Sequence, residues 1–220
     1  MLPLTLPPLD GPLRVLCLGA HADDLEIGCG GTVLTLLEGF PAAEVTWIVF
    51  SGDALRGAEA RESAEVWLRA AGRRTVVVKS FRDGFFPHQA EIKEYFEELK
   101  GTVDPHLVFT HWEGDRHQDH RTISALTWNT FRDHLILEYE VPKYDGDLGR
   151  PNLYMPLRDE VVGVKVEHLI AAFSSQRAKR WFTEDLFRGL MRLRGMEAGG
   201  TTRYAEAFYV RKATLASPDR

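Results

Sequence analysis

The sequence predicts an α/β fold, a three-layer αβα sandwich whose mostly parallel sheet is Rossmann-like. One observation is that short continuous apolar runs, such as residues 14–20, are typical of strands buried on both faces of a parallel sheet. A second is that these runs alternate with segments of helical periodicity, and this alternation favours right-handed crossovers in a doubly wound sheet. In such sheets the active site lies at the carboxyl ends of the strands.

The predicted strands are the apolar runs, and the predicted helices lie between them. We predict strands at residues 14–20, 45–50, 75–78 and 107–110, with weaker candidates at 136–139 and 207–210. We predict helices at residues 32–38, 59–71, 91–100, 120–133 and 177–194. The helix at 59–71 precedes Gly72, and glycine is common just past a helix C-terminus.

Chain length and composition predict one domain. A chain of 220 residues is long enough to bury a substantial core. We predict an extended N-terminal arm at residues 1–12, a single domain at 13–213 and a flexible tail at 214–220. Residues 141–156 are rich in turn-forming residues, so we predict a loop there that helps to shape the substrate pocket.

Charge and hydropathy restrict the partners. The net charge of -5 argues against nucleic acid or an anionic membrane as the main partner, and no apolar run approaches the roughly 18 residues that span a bilayer. The first twelve residues contain four prolines and no basic residue, unlike a signal peptide. We therefore expect a cytoplasmic protein that acts on a small molecule, with Cys17 and Cys29 reduced. The long predicted loop at residues 141–156 is compatible with a homo-oligomer.

Three side chains that can bind a metal follow the first predicted strand: His21, Asp23 and Asp24. A turn can direct His21 and Asp24 toward one ion while Asp23 projects toward a water molecule. Imidazole nitrogen and carboxylate oxygen suit zinc, or iron of similar coordination. The alternative for these residues alone is structural: an aspartate caps the next segment and His21 packs under a loop.

The segment LEIGCGGT at residues 25–32 has the appearance of a glycine loop that binds a nucleotide or S-adenosylmethionine. Such a motif needs an apolar strand that leads directly into the glycines. Here a charged turn intervenes, so we predict no cofactor-binding residue. We predict instead that Gly28, Gly30 and Gly31 form a tight turn that starts the first helix.

A second cluster, His117, Asp119 and His120, follows the fourth predicted strand. It supplies a third ligand and another histidine for acid–base chemistry, and the two histidines would share one side of a helix that begins here. Asp119 can accept the outer N–H of an imidazole and fix its tautomer. The alternative is a polar, solvated helix start capped by aspartate. Because both clusters follow strands, we expect them at the same edge of the sheet.

These two motifs make the sequence similar to the N-acetylglucosaminyl deacetylase family, the PIG-L or LmbE-like zinc hydrolases. The family motif His-Pro-Asp-Asp with a following Gly-Gly-Thr appears here as HADDLEIGCGGT, and the motif His-x-Asp-His appears as HQDH. Alanine stands at position 22, where the family usually has proline. Weaker matches at Arg61 with Glu65, at Ser175-Gln176 and at residues 205–208 extend the resemblance over most of residues 14–210.

The resemblance implies a role for each motif residue. It implies zinc, with iron as the alternative, bound by His21, Asp24 and His120. It implies that Asp23 is the general base and that His117 is the protonated partner of the oxyanion and the leaving amine.

Two positions are less well defined by the resemblance. Some relatives carry a tyrosine two residues before the equivalent of His117, whereas this chain has Asp115, so that role is vacant or filled by another group. Arg61 is a candidate for substrate binding, and its structural alternative is an ion pair with Glu65 on the same helix.

The predicted function is metal-dependent removal of an N-acetyl group from an N-acetylglucosamine-type sugar or sugar conjugate. Zinc can lower the pKa of water to about 7 and polarise an amide carbonyl, which makes a poor electrophile reactive. One alternative is an amidase that cleaves a larger acyl group from a glucosamine-based thiol conjugate. Another, of a different class, is a transferase that binds a nucleotide or S-adenosylmethionine through residues 28–31.

Overall fold

The computed structural model describes residues 3–200 and 202–215, and this part of the chain forms one sheet flanked by helices. The strands are β1 (Arg14–Gly19), β2 (Glu44–Val49), β3 (Arg73–Val78), β4 (Leu107–His111), β5 (Leu135–Tyr139), β6 (Leu153–Leu157) and β7 (Tyr204–Tyr209). The helices are α1 (Asp24–Gly39), α2 (Ala54–Trp67), α3 (Ala90–Thr102), α4 (Gln118–Thr130), α5 (Asp159–Ala172) and α6 (Glu184–Glu197).

The sheet has the strand order β3-β2-β1-β4-β5-β7-β6. The first five strands in this order are parallel, and β7 runs antiparallel to both β5 and β6. The chain moves outward from β1 to β2 and β3 and then returns to the other side of β1 with β4. The strand order therefore reverses between β1 and β4, and this switch point opens a crevice at the carboxyl ends of these two strands.

Apolar side chains from alternate positions of β1 enter two cores, one on each face of the sheet. Val15 and Cys17 pack with residues of α1, α2, α5 and α6, whereas Leu16 and Leu18 pack with residues of α3 and α4. Full burial of one such aliphatic side chain contributes about 1.5–3 kcal/mol. Both faces of the central strands are covered, so the predicted three-layer, mostly parallel α/β fold is confirmed.

The first helix differs most from the prediction. It begins at Asp24 rather than at residue 32, so Gly28, Gly30 and Gly31 lie inside α1 and do not form a turn that precedes it. The physical reason is close packing. A Cβ atom at Gly28 would lie 2.1 Å from the ring of Tyr139, and one at Gly30 would lie 2.7 Å from the ring of Trp67. The glycines thus allow α1 to approach the sheet and α2 closely.

A buried ion pair also holds α1 at its middle. The Glu206 carboxylate of β7 accepts hydrogen bonds from the backbone N–H groups of Gly31 and Thr32, each at 2.7 Å, and from the Thr32 hydroxyl. Lys165 of α5 donates to Glu206 at 2.5 Å and to the Ile27 carbonyl at 2.6 Å. In an α-helix that carbonyl is the acceptor for the N–H of Gly31. Lys165 and Glu206 therefore bond the Ile27 carbonyl and the Gly31 N–H, which are the acceptor and the donor of one α-helical hydrogen bond. These contacts connect α1 to α5 and β7.

Other element bounds also differ. Helix α2 begins five residues before the predicted start, at an N-cap formed by Asp53, and ends at Trp67. Helix α6 begins only at Glu184, where the Thr183 hydroxyl caps it, so residues 177–183 of the predicted helix are not part of it. Helix α5 was not predicted, and strand β6 begins inside the predicted loop at 141–156 and ends at Leu157, one residue beyond it.

The termini are described only in part. Residues 3–13 contain no helix or strand, and residues 1–2 and 216–220 of the predicted arm and tail lie outside the described residues. The division into arm, single domain and tail stays a prediction. Among the described residues, no helix combines the length and the apolar character needed to span a membrane.

Candidate metal centre and active site

Both histidine clusters lie at the switch point of the sheet. The first follows β1 and leads into α1, and the second follows β4 and leads into α4, which begins at Gln118 with His117 as its N-cap. Because β1 and β4 are paired neighbours, the carboxyl ends of these strands bring the two clusters together. The expectation that they share one edge of the sheet is correct.

Three atoms of the cluster lie at nearly equal distances from one another. His21 Nδ1 is 3.2 Å from His120 Nε2 and 3.4 Å from Asp24 Oδ2, and His120 Nε2 is 3.5 Å from the same oxygen. All three residues are buried. Four ligands at about 2.0–2.1 Å in a tetrahedron are separated by about 3.3–3.4 Å. The spacing of these atoms therefore fits three corners of a tetrahedral site.

The outer nitrogen of His21 faces two carboxylates. Its Nε2 is 3.1 Å from Asp83 Oδ1 and 3.4 Å from Asp119 Oδ2. Asp119 is held in turn by the backbone N–H groups of Gly84 at 2.6 Å and Phe86 at 3.1 Å. Burial alone would lower the pKa of His21, but the bonds to Asp119, Asp24 and Asp83 outweigh it and raise this pKa well above its usual value.

The outer nitrogen of His120 faces Asp115. His120 Nδ1 is 2.9 Å from Asp115 Oδ2, and the ammonium of Lys143 lies 2.9 Å from the same oxygen. Burial and the nearby His111 lower the pKa of His120 to about 4, so the imidazole is neutral at pH 7. When the proton of the neutral ring is on Nδ1, this nitrogen donates to Asp115, and the lone pair of Nε2 is directed at His21 and Asp24. Asp115, which stands where some relatives have a tyrosine, thus orients His120.

Asp23 has a different environment from its neighbour. Its Oδ1 lies 3.4 Å from Arg56 Nη2, whereas its Oδ2 is buried and has no hydrogen-bond partner among the described residues. Burial and the adjacent charge of Asp24 raise the pKa of Asp23, although Arg56 opposes the shift. A carboxylate with a free oxygen and a raised pKa is suited to accept a proton.

His117 is half-buried beside the other two imidazoles. Its ring centre lies 4.9 Å from that of His21 and 4.7 Å from that of His120. The Nδ1 atom accepts a hydrogen bond from the backbone N–H of Asp119 at 3.3 Å, which leaves Nε2 as the nitrogen that carries a proton in the neutral ring. Burial and the charge of His21 lower the pKa of His117.

Besides His21, Asp24 and His120, three further groups of described residues have ligand atoms close enough to hold one ion. They are His21 with His117 and His120, Asp24 with His111 and His120, and His21 with Asp83 and Asp119. His111 was not singled out from the sequence. Its ring stacks on His120 with centres 3.9 Å apart, and its Nε2 accepts the Ala20 N–H at 2.9 Å. This contact ties the end of β4 to the turn after β1.

The arginine at the site is Arg56, not Arg61. Arg56 lies in the first turn of α2 and reaches Asp23 at 3.4 Å and Asp83 at 3.5 Å. Arg61 is exposed and donates to the Val78 carbonyl at 2.9 Å, so the structure does not bring it to the cluster. Five residues rotate a helix by about 140°, which separates the two side chains. The proposed ion pair of Arg61 with Glu65 is not formed either, because Glu65 pairs with Arg74.

Fold and site together define an α/β enzyme with a candidate metal centre at the switch point of its sheet. Residues 16–131, just over half of the 220 residues, match the family model PIG-L, described as GlcNAc-PI de-N-acetylase. The chain belongs to this family. It is therefore an enzyme of a deacetylase family, which acts on amides.

Solved structures share the fold over nearly the whole chain. The conserved protein TT1542 from Thermus thermophilus is 21% identical with a TM-score of 0.72, and the match covers 94% of this chain and 98% of that one. The N,N'-diacetylchitobiose deacetylase from Pyrococcus horikoshii is 20% identical with a TM-score of 0.70, covering 91% and 84%. GalB, the 4-carboxy-2-hydroxymuconate hydratase from Pseudomonas putida, is 16% identical with a TM-score of 0.70, covering 93% and 98%. Since a hydratase shares this fold, the reaction has to be argued from the site.

Proposed function

We propose that this protein is a metal-dependent hydrolase that removes the N-acetyl group from an N-acetylglucosamine-type sugar or sugar conjugate. Its metal ligands are His21, Asp24 and His120, and the metal is zinc, with iron as the alternative. The observation that carries the proposal is the mutual separation of the three ligand atoms, 3.2, 3.4 and 3.5 Å, at a buried position. Imidazole and carboxylate ligands of this number, with a position left open, are typical of catalytic zinc sites.

A divalent ion at this position supplies Lewis-acid chemistry, since it polarises the amide carbonyl and acidifies water. The remaining steps belong to side chains. Asp23 takes the proton from the attacking water, because its Oδ2 is buried, unpartnered among the described residues and beside the ligand Asp24. A positioned general base of this kind contributes about 10²–10⁴-fold to the rate.

His117 serves the other half of the reaction. Its Nε2–H can donate a hydrogen bond to the oxyanion, because Nδ1 is already engaged by the Asp119 N–H, and the proton that Asp23 takes from the water passes to the leaving amine. Asp119 and Asp115 hold the ligand imidazoles by their outer nitrogens. Arg56 bridges Asp23 and Asp83 and is the candidate to contact substrate hydroxyl or acyl oxygens.

The family and the site support different parts of the substrate assignment. The family model is described for the de-N-acetylation of GlcNAc-PI, which supports an N-acetylated amino sugar. A transferase that binds a nucleotide through residues 28–31 has no support from the geometry, because these residues are buried inside α1. An amidase for a larger acyl group would use the same metal and base. The cytoplasmic location and a homo-oligomer stay predictions.

Metal analysis and a substrate panel test the proposal. The purified protein is expected to contain about one zinc or iron ion per chain and to release acetate from N-acetylhexosamine compounds, offered free, nucleotide-linked and lipid-linked. A glucosamine-based thiol conjugate with a larger acyl group belongs in the same panel, and preference for it would favour the amidase. A metal-free protein that is indifferent to chelators would overturn the proposal.

Substitution of Asp23 tests the assignment of the base. Asp23→Asn should retain the metal, because Asp23 is not one of the proposed ligands, and should lower kcat by about 10²–10⁴-fold. Asp159→Asn is the matched control, since Asp159 is an exposed aspartate at the start of α5. Full turnover by Asp23→Asn would show that another group accepts the proton.

A further inference from the structure

A half-buried lysine of the segment that follows β5 reaches toward the residues around the metal centre. The ammonium of Lys143 is 2.9 Å from Asp115 Oδ2 and 2.7 Å from Asp147 Oδ2, and its side chain is only 10% exposed. Asp147 also accepts the backbone N–H of Arg116 at 2.7 Å. Lys143 therefore joins its own segment, residues 141–152, to the stretch that carries the second histidine cluster.

Asp115 passes this connection on to a proposed metal ligand. The Asp115 oxygen that faces Lys143 lies 2.9 Å from His120 Nδ1. The other oxygen of Asp115 accepts a hydrogen bond from the backbone N–H of His117 at 2.7 Å. Asp115 is almost fully buried, so solvent does not screen these contacts. Only two polar contacts separate the segment from the ring whose Nε2 faces the metal position.

The segment is also anchored to α6, through Glu140, which precedes it, and through Gly149 near its far end. Arg194 of α6 bonds Glu140 through two nitrogens, at 2.9 and 2.7 Å, and also donates to the Gly149 carbonyl at 3.2 Å. Between Lys143 and Gly149 lie Tyr144 and Leu148, which are 71% and 42% exposed. The Lys143 contacts thus add a separate attachment, toward the metal centre, to a segment that presents apolar side chains to solvent.

We propose that Lys143 is a positioning residue that couples segment 141–152 to the metal ligand His120 through Asp115. The inference rests on the proposed metal-binding function. When Nε2 of His120 is ligated, its Nδ1–H becomes a stronger donor to Asp115, and a well-oriented Asp115 holds Lys143 and Asp147. By thermodynamic linkage the coupling is reciprocal, so the attached segment strengthens metal binding to the same extent.

Hydrogen exchange of the full-length protein, measured with zinc and with a chelator, tests the coupling. In the wild type, zinc should slow backbone exchange in segment 141–152 several-fold. In Lys143→Met the segment should exchange rapidly in both states, and zinc affinity, measured by competition with a chromophoric chelator, should fall about 10-fold, as is typical when a group that supports a ligand is lost. Lys143→Arg, which keeps the charge, should restore most of the zinc response.

Two further variants make the result decisive. Lys93→Met is the matched control, because Lys93 is an exposed lysine of α3 whose contact is with Glu97 on the same helix. Asp147→Asn weakens one partner of Lys143 and should reduce the same zinc response, which keeps the inference testable if Lys143→Met does not fold. An unchanged zinc response in both Lys143→Met and Asp147→Asn would overturn the coupling alone. A wild type that binds no zinc would overturn the proposed function and this inference with it.

Discussion

Replacement of Lys165 by methionine tests how α1, which begins with a proposed metal ligand, is held in place. The Lys165 ammonium is buried and contacts the Glu206 carboxylate at 2.5 Å and the Ile27 carbonyl at 2.6 Å. Methionine fills a similar volume but carries no charge and no donor. The substitution therefore removes one member of a buried ion pair and leaves the pocket filled.

The expected loss follows from what each partner retains. Removal of one member of a buried ion pair costs about 3–5 kcal/mol, because the other charge stays buried without its partner. After Lys165→Met, Glu206 keeps its three donors from Gly31 and Thr32, so we expect a loss near 3 kcal/mol. Glu206→Met leaves an ammonium with a single carbonyl and should cost nearer 5 kcal/mol. The double variant should cost less than the sum, since no charge is left unpaired.

Urea unfolding with chelator present measures these losses without a contribution from bound metal. For a chain of this length, a loss of about 3 kcal/mol corresponds to a fall in Tm of about 6–12 °C. A loss below about 1 kcal/mol for Lys165→Met, or additive losses in the double variant, would show that the pair does not hold α1.

Two further predictions concern other buried or bridging charges. Burial raises the pKa of Glu26 from 4.5 to about 8, so this carboxyl group favours folding below pH 4.5 and its contribution is lost as the pH rises toward 8. Glu26→Gln should therefore gain stability relative to the wild type over this interval, by at most about 1.4 kcal/mol per pH unit, and a pH-independent difference in urea unfolding would contradict it. Arg56→Lys should lower kcat/KM about 10-fold, because Arg56 reaches Asp23 and Asp83 through two different guanidinium nitrogens and a lysine offers only one nitrogen, whereas Arg61→Lys should change it little. The opposite order of effects would favour Arg61 as the substrate-binding arginine.

The parts of the fold that follow from one local sequence pattern were predictable. The four strands at 14–20, 45–50, 75–78 and 107–110 correspond to β1 to β4, because short continuous apolar runs are typical of strands in a parallel sheet. Helix α5 was missed because it carries several β-branched valines, whose weak helix preference is overridden by packing against α1 and α6. Glycines that looked like a turn are helical because Tyr139 and Trp67 occupy the space that side chains would need.

The site was predictable only in the part that is contiguous in sequence. HADD comes at the end of β1 and HQDH comes a short loop, residues 112–116, after β4, so the meeting of these motifs follows from the parallel pairing of β1 with β4. Arg56, Asp83 and Lys143 come from three separate segments and have no motif of their own. They reach the cluster through tertiary structure alone: the first turn of α2, the loop after β3 and the segment after β5. Arg61 was named from the weaker family match that it forms with Glu65, and this match does not tell which face of α2 points to the crevice.

The charges around the cluster favour a divalent cation over an anionic ligand. Five carboxylates surround the three motif imidazoles, whereas the cationic side chains in contact with these carboxylates are Arg56 and Lys143. Three of the carboxylates face the outer nitrogens of His21 and His120, and Asp24 contributes an oxygen to the group of three ligand atoms. Because the carboxylates outnumber these two cations, the surroundings of the ligand atoms carry excess negative charge, which an ion of charge +2 would offset in large part. A nucleotide phosphate at the same place would meet charge of its own sign, which argues for hydrolysis at a metal over group transfer from a nucleotide.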